Sequence, residues 1–422
     1  MAAHLGYDWK LGSRLPPLGR HSLAKHEVFD RYTAAYLHTL NGVQASTSFN
    51  VTIVDGFCGG GRYAFGTGEV DGSPLRMLAA VDRAEIELAT ARRNGFRIKA
   101  DFVFVDENAN HIEFLRDQLA QRGYGSRIGG DIRIVNSTFE AACPDIVRGI
   151  KAKGPAHRSL FFLDQYGWSD VTFRTVRSIM NQLKNPEIIL TFMVDSLVNL
   201  LSDRMSEMHA LAAIDYGRED IKALMGMKQG KGWKRMIQNT VYSHIQACTG
   251  AAYYTPFFVH PEGSHRDYWL IHLSKHHKAR EEMGKVHWSM ENTFEHFGRA
   301  GFDALGFDPG VDVRADMLDF GFNDSARTRS EAAVLQEMPR LIHGAADRTL
   351  TKREVFASRC NETPVIGDIV DTQLALLRDE NEIVITSCDG VVRRSAKSFD
   401  WDDRIQLVSE PSMFSRLHFQ AA

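Results

Sequence analysis

The sequence predicts an α/β protein: a doubly wound, mostly parallel sheet with a helical insertion, followed by a small C-terminal domain of winged helix-turn-helix plan. Three segments carry the first part of that expectation, each a hydrophobic run ending in an acid. They are Thr52-Ile53-Val54-Asp55, Phe102-Val103-Phe104-Val105-Asp106 and Leu160-Phe161-Phe162-Leu163-Asp164. Short apolar runs of this kind read as buried strands. In open α/β sheets, ligands sit beyond the carboxyl ends of the strands, where all three acids must then lie.

Residues 1–48 read as an N-terminal arm and helix. Pro16-Pro17 and Gly19 keep the arm extended, and Ser22 can cap a helix whose apolar positions Leu23, Val28, Phe29, Tyr32, Tyr36 and Leu37 fall near helical spacing. The α/β core is expected over 49–195 and 251–335. Its first strand ends at Asp55 and runs into Gly56-Phe57-Cys58-Gly59-Gly60-Gly61-Arg62-Tyr63. Glycines tolerate positive φ and let a backbone approach a ligand closely. The dinucleotide pattern G-x-G-x-x-G does not fit this spacing. The stretch between Asp55 and Asp106 is longer than a minimal crossover. It holds a second glycine loop at 66–74 and a helix over 75–88, which predicts a flap over the cofactor.

Asp106, followed by Glu107, ends the second strand and is placed to hydrogen-bond ribose hydroxyls. The third strand tip reads Asp164-Gln165-Tyr166-Gly167-Trp168. A fourth strand over 188–194 ends in Asp195-Ser196, which can line the pocket. Residues 196–250 read as a helical insertion, and 256–260 with 268–274 as an antiparallel hairpin turning at 262–264. Over 340–422 two short helices precede Ile383-Val384-Ile385-Thr386, an Asp389-Gly390 turn and a strand at 391–394. Arg393, Arg394 and Lys397 put positive charge where a wing meets phosphate. A small structural cap with solvated arginines has the same pattern.

Composition bounds the alternatives. With 44% hydrophobic and 24% charged residues, the 422-residue chain is of ordinary globular make-up and long enough for two to three domains. A net charge of -3 confines any nucleic-acid contact to local patches. Cys58, Cys143, Cys248, Cys360 and Cys388 form no C-x-x-C pair, which argues against a zinc site or a disulfide framework and for a reducing cytoplasm. No apolar run approaches the roughly 18 residues of a membrane span, so no membrane partner is expected.

Asp-x-Phe-x-Gly-x-Gly at Asp55–Gly61 resembles the cofactor loop of S-adenosylmethionine-dependent methyltransferases that act on amino groups of nucleobases. Ser22-Leu23-Ala24-Lys25-His26, the glycine turn through Tyr63, Gly72-Ser73-Pro74-Leu75-Arg76, Leu163-Asp164-Gln165-Tyr166-Gly167 and Tyr268-Trp269-Leu270-Ile271 together resemble the three-Cys-motif partner protein family. That resemblance implies a Rossmann-like class I methyltransferase sheet with a C-terminal winged helix. It also implies S-adenosylmethionine as cofactor, held by Asp55, Gly56, Phe57, Cys58, Gly59, Gly61, Asp106 and Glu107, and a companion protein with a three-cysteine motif. Related amino-methyltransferases use an Asp/Asn-Pro-Pro-aromatic tip. By that likeness Asp164 and the Gln165 carbonyl accept from the target amine, and Tyr166 or Trp168 stacks on the base. Gln165 stands where the family has proline, which removes the stiffness that a fixed φ gives the tip.

Lys25, His26, Arg62 and Tyr63, with Arg393, Arg394 and Lys397, are the candidate contacts to a DNA or RNA substrate. Lys275, Lys278, Arg280 and Lys285 form a second basic segment. His272, His276, His277 and His287 cluster nearby without the spacing of a metal motif. Two other functions fit less of the pattern: a methyltransferase-fold binding subunit without transfer activity, and a metal-dependent nuclease using the three strand-tip acids.

Overall fold

The computed structural model describes residues 7–41, 47–92, 95–193, 197, 211–227, 233–259, 268–290, 324–361 and 363–408. The chain divides into two compact units, Met1–Glu282 and Met283–Ala422. The sequence places its own boundary at 335–340.

The first unit is a mixed α/β layer structure. Helix α1 (Arg20–Leu40) precedes β1 (Ser48–Asp55), the hairpin β2 (Arg62–Phe65) and β3 (Gly68–Asp71), and α2 (Ser73–Thr90). Then come β4 (Arg97–Asp106), α3 (Ala109–Gln121), β5 (Ile132–Asn136), α4 (Phe139–Ala152), β6 (Arg158–Leu163), α5 (Phe173–Gln182) and β7 (Pro186–Phe192). Helices α6 (Arg218–Met227) and α7 (Trp233–Thr249) lead to β8 (Tyr253–Val259) and β9 (Tyr268–Ser274).

The seven-stranded sheet runs β5-β4-β1-β6-β7-β9-β8. Its first five strands are parallel, while β9 is antiparallel to both β7 and β8. Strand β1 is central because its last five residues are buried and its two neighbours supply matching apolar faces. Asp55 lies opposite Phe104 on one side and Phe162 on the other. Asn108 caps α3 by accepting from the Asn110 amide, so that helix begins three residues beyond the Asp106 tip. Helix α1 lies against the sheet through Phe29, whose ring meets Phe162 at 4.8 Å, and through Tyr32, which donates to Glu187 of β7. Asp195, Ser196 and the 262–264 turn fall outside the described residues.

The second unit contains α9 (Asp324–Gly344), β10 (Thr349–Thr351), α10 (Lys352–Ala357), α11 (Gly367–Asp379), β11 (Ile383–Thr386) and β12 (Arg404–Leu407). Helix α8 (His277–Ser289) contains the division point between the units. A capping box at Thr351 and Glu354 starts α10, and the buried Lys352 ammonium is 2.6 Å from Asp371 of α11. The three strands pair as β10-β12-β11.

The strand expected at 391–394 does not form. Gly390 makes the turn at φ 81, but only a single bridge, Thr386 to Val392, follows. Arg393 is then drawn to Asp400 and Asp403 at 2.7 and 3.1 Å, and Arg404–Leu407 pairs with β11 instead.

Candidate functional site

The glycine turn hangs between the tips of β4 and β6. Gly56 donates to the Phe162 carbonyl and Cys58 to the Val105 carbonyl. The turn's glycines are required by the chain's own packing. A Cβ on Gly59 would lie 2.7 Å from the Trp9 ring, and one on Gly60 would lie 2.3 Å from it. Gly61, at φ +80, would place a Cβ 2.8 Å from Leu115.

Trp9 is 3% exposed, and its indole N–H donates to the Arg62 carbonyl at 2.6 Å. The arm that carries it is fixed by backbone pairing with the hairpin. Leu18 donates to the Ala64 carbonyl, and Ala64 to that of Pro16. The hairpin lies within the long first crossover, and the arm pairs with it. Nothing in the sequence singles out Trp9, one of two aromatics, with Tyr7, in an arm of mixed composition.

Asp106 organises the second strand tip. Its Oδ2 accepts from the Gly59 amide at 3.0 Å, while Oδ1 accepts from the Asn108 amide at 2.8 Å and meets His111 Nδ1 at 3.1 Å. A carboxylate offers about four lone-pair sites, so acceptor capacity remains on Oδ2. Glu107 is exposed, and its carbonyl accepts from Asn136.

The third tip is a charged pair. Lys25 of α1 donates to both Asp164 oxygens, at 2.6 and 2.8 Å. Burial raises the Asp164 pKa, but the Lys25 charge and hydrogen bond, the Thr191 hydroxyl and His26 outweigh it, so the carboxyl sits below its ordinary value. Asp164 is therefore an ionised hydrogen-bond acceptor. His26, 3% exposed, is held neutral: burial and the neighbouring Arg76 and Lys25 charges push its pKa down to about 3, against the pull of Asp164.

Gln165 reverses the expectation drawn from its missing proline. Its buried amide donates to the Thr191 carbonyl and accepts from the Val171 amide, both at 3.0 Å. With Met193 donating to the Gly167 carbonyl, the tip is tied to the end of β7 and to the loop before α5. A side chain supplies the rigidity here. Tyr166 is 55% exposed, whereas Trp168 is 5% exposed and packed inward.

Asp55, 1% exposed, accepts from the Phe57 amide. Burial drives its pKa up to about 7, with Ser73 and Phe57 opposing and the nearby Asp164 and Asp106 charges assisting. The buried Cys58 thiol is likewise pushed well above its ordinary value by burial and by Asp55 and Asp106, which removes it as a nucleophile. Tyr63 is buried against His26 and Trp9, with ring centroids at 5.8 and 5.1 Å, while the Arg62 guanidinium pairs with Glu69.

Elsewhere Arg280, His272, His277 and His287 are buried, so the basic segment presents Lys275, Lys278 and Lys285. In the second unit Arg394 and Lys397 are exposed, whereas Arg393 is committed to its two aspartates. Among the described residues no three His, Cys, Asp or Glu side chains gather as metal ligands, and no helix is long and apolar enough to cross a membrane.

The first unit's strand tips fit a nucleoside cofactor that carries an amino group. Asp106 keeps acceptor capacity for a ribose hydroxyl, and Asp55 is a carboxyl poised to ionise beside the glycine turn. Among the described residues, two buried ring nitrogens, His26 Nδ1 and His111 Nε2, have no hydrogen-bond partner, the Asp8 carboxylate standing 4.0 Å from the second. Buried polar atoms of that kind call for a ligand or water. His111, like Trp9, was not singled out by the sequence; a histidine five residues after a strand-tip acid is the signal that could have found it.

No protein-family model matches the sequence, and no curated protein matches it. Among solved structures, the chain is similar to protein LPL1258 from Legionella pneumophila at 9% identity and TM-score 0.34, over 60% of this chain and 85% of that one. It is similar to a SAM-dependent methyltransferase from Agrobacterium tumefaciens at 10% identity and TM-score 0.31, over 61% of this chain and 63% of the other. It is also similar to the O-methyltransferase TomG from Streptomyces achromogenes at 12% identity and TM-score 0.26, over 58% and 79%. At TM-scores this low the likenesses say nothing of activity.

Proposed function

We propose that this chain is an S-adenosylmethionine-dependent methyltransferase acting on an exocyclic amino group of a nucleobase in DNA or RNA. The observation that carries the reading is the meeting of Asp106, Asp55 and Asp164 at the ends of the adjacent parallel strands β4, β1 and β6. The antiparallel β8–β9 hairpin closing the sheet beside β7 is the usual finish of a methyltransferase core, and it supports the same reading. Bound at this edge, the cofactor supplies a methyl group on a sulfonium centre.

The chain's residues would hold it through Asp106 at the ribose and Asp55 beside the glycine turn. Asp164 keeps acceptor capacity beyond the sites used by Lys25 and the Thr191 hydroxyl, enough to accept from a target amine, and the Gln165 carbonyl is the second acceptor. Exposed Tyr166 offers a ring for the base. Methyl transfer is dominated by such positioning, which the Gln165 hydrogen bonds favour. That brace speaks for an enzyme over a transfer-dead binding subunit.

The second unit runs helix, strand, helix, helix, strand, strand, the order of a winged helix. Its α11 exposes Asp368, Thr372, Leu376 and Asp379, and Glu380 follows it, so phosphate contact falls to Arg394 and Lys397. The family resemblance adds the companion three-cysteine-motif protein, and cytoplasm is the compartment its cysteines suit. Labelled methyl transfer to total DNA and RNA, with and without the companion, tests the function. Transfer that Asp164→Ala removes is the expected result, and its absence in the parent under both conditions returns the chain to the binding-subunit reading.

A further inference from the structure

Trp9 and His111 close a ring around the Asp106 carboxylate. The Trp9 indole covers Gly59 and Gly60 on one side and meets the His111 ring edge-on at 4.8 Å on the other. His111 Nδ1 reaches Asp106 Oδ1, and the Gly59 amide reaches Asp106 Oδ2. One indole therefore packs on two of the three groups that hold this acid, the third being the Asn108 amide, while its N–H on Arg62 and the arm's pairing with Ala64 keep it in place.

We propose that Trp9 and His111 are positioning residues for cofactor binding, holding the Asp106 carboxylate and the Gly59–Gly60 backbone in the arrangement that receives the ribose. This rests on the methyltransferase reading. Without the indole, the glycine turn loses the surface that fixes it. Without the imidazole, Asp106 loses the one side chain of its three partners and is held by the Gly59 and Asn108 amides alone. Capture of the nucleoside then carries the conformational cost of ordering both.

The competing view is that Trp9 belongs only to the arm's own apolar cluster with Leu18, Tyr63 and Phe114. Calorimetric titration of S-adenosylhomocysteine into the full chain separates the two. Trp9→Ala and His111→Phe should each weaken binding by about tenfold, the loss of one well-placed hydrogen-bonding partner. His111→Gln, whose amide still donates to Asp106, should stay within about threefold of the parent.

The Trp9→Ala penalty should shrink in an Asp106→Ala background, because the two act in part through one group. Penalties that add, or variants that bind as the parent does, overturn the proposal while leaving the methyltransferase reading intact. A parent that does not bind removes both. Should Trp9→Ala fail to fold, the His111→Phe and His111→Gln comparison decides alone.

Discussion

Both carboxylate oxygens of Asp164 face one ammonium, that of Lys25, at 2.6 and 2.8 Å, with the Lys25 side chain 11% and the Asp164 side chain 25% exposed. The pair joins α1 to the tip of β6 and keeps Asp164 ionised in a cleft that would otherwise favour its protonation. Removing one partner strands the other. Lys25→Met should lower unfolding free energy by roughly 2–3 kcal/mol, reduced from the fully buried case by the pair's partial exposure. The Lys25→Met/Asp164→Asn double variant should recover part of that loss. Denaturant titrations of the four proteins measure it, and a neutral Lys25→Met would show that the pair contributes nothing.

Gln165→Pro is expected to damage the tip. The substitution removes two side-chain hydrogen bonds and leaves the buried Val171 amide and Thr191 carbonyl without those partners, at about 1–3 kcal/mol for each group left unsatisfied. Thermal unfolding and amide exchange at Val171 provide the check. Unchanged protection at Val171 would remove the brace from the account.

The contrast between Gln165 and the proline of the family that the sequence resembles shows where the sequence was legible. Runs ending at Asp55, Asp106 and Asp164 announce buried strands and their order, because a parallel sheet needs continuous apolar segments and its tips need polar endings. The role of Gln165 was hidden, since its partners Val171 and Thr191 are set by the loop before α5 and by β7, whose proximity only the fold creates. Trp9 and His111 were hidden for the same reason. The glycines were legible as a turn, but their cause was not: packing against Trp9 and Leu115 explains them without a ligand. In the second unit the Asp389-Gly390 turn was read correctly and its strand was not, because the Arg393 ion pairs lie outside any local pattern.

Gly61→Val should therefore cost stability as well as any cofactor affinity. Its backbone is at φ +80, and the new Cβ would stand 2.8 Å from Leu115. A loss of about 1–3 kcal/mol is expected from strain and overpacking. A variant as stable as the parent would show that the turn can relax.

Asp55 gives the pH dependence. Its folded pKa of about 7 lies above the ordinary carboxyl value of 3.8, so the native state holds a proton that the unfolded chain releases. Stability from this group is undiminished below pH 4, falls as pH rises toward 7, and levels off above. The fall is about 4 kcal/mol at most, at 1.36 kcal/mol per pH unit. Asp55→Asn should flatten that part of the stability–pH curve and raise stability at pH 8. An unaltered slope between pH 4 and 7 would place the titration elsewhere.

The most direct measurement for the central claim is calorimetric titration of S-adenosylmethionine into the full chain, parent beside Asp106→Ala. Saturable one-to-one binding is expected in the parent, weakened by roughly 1.5–3 kcal/mol in Asp106→Ala, the range for a hydrogen bond to a charged acceptor. A parent that takes up no S-adenosylmethionine would contradict the account.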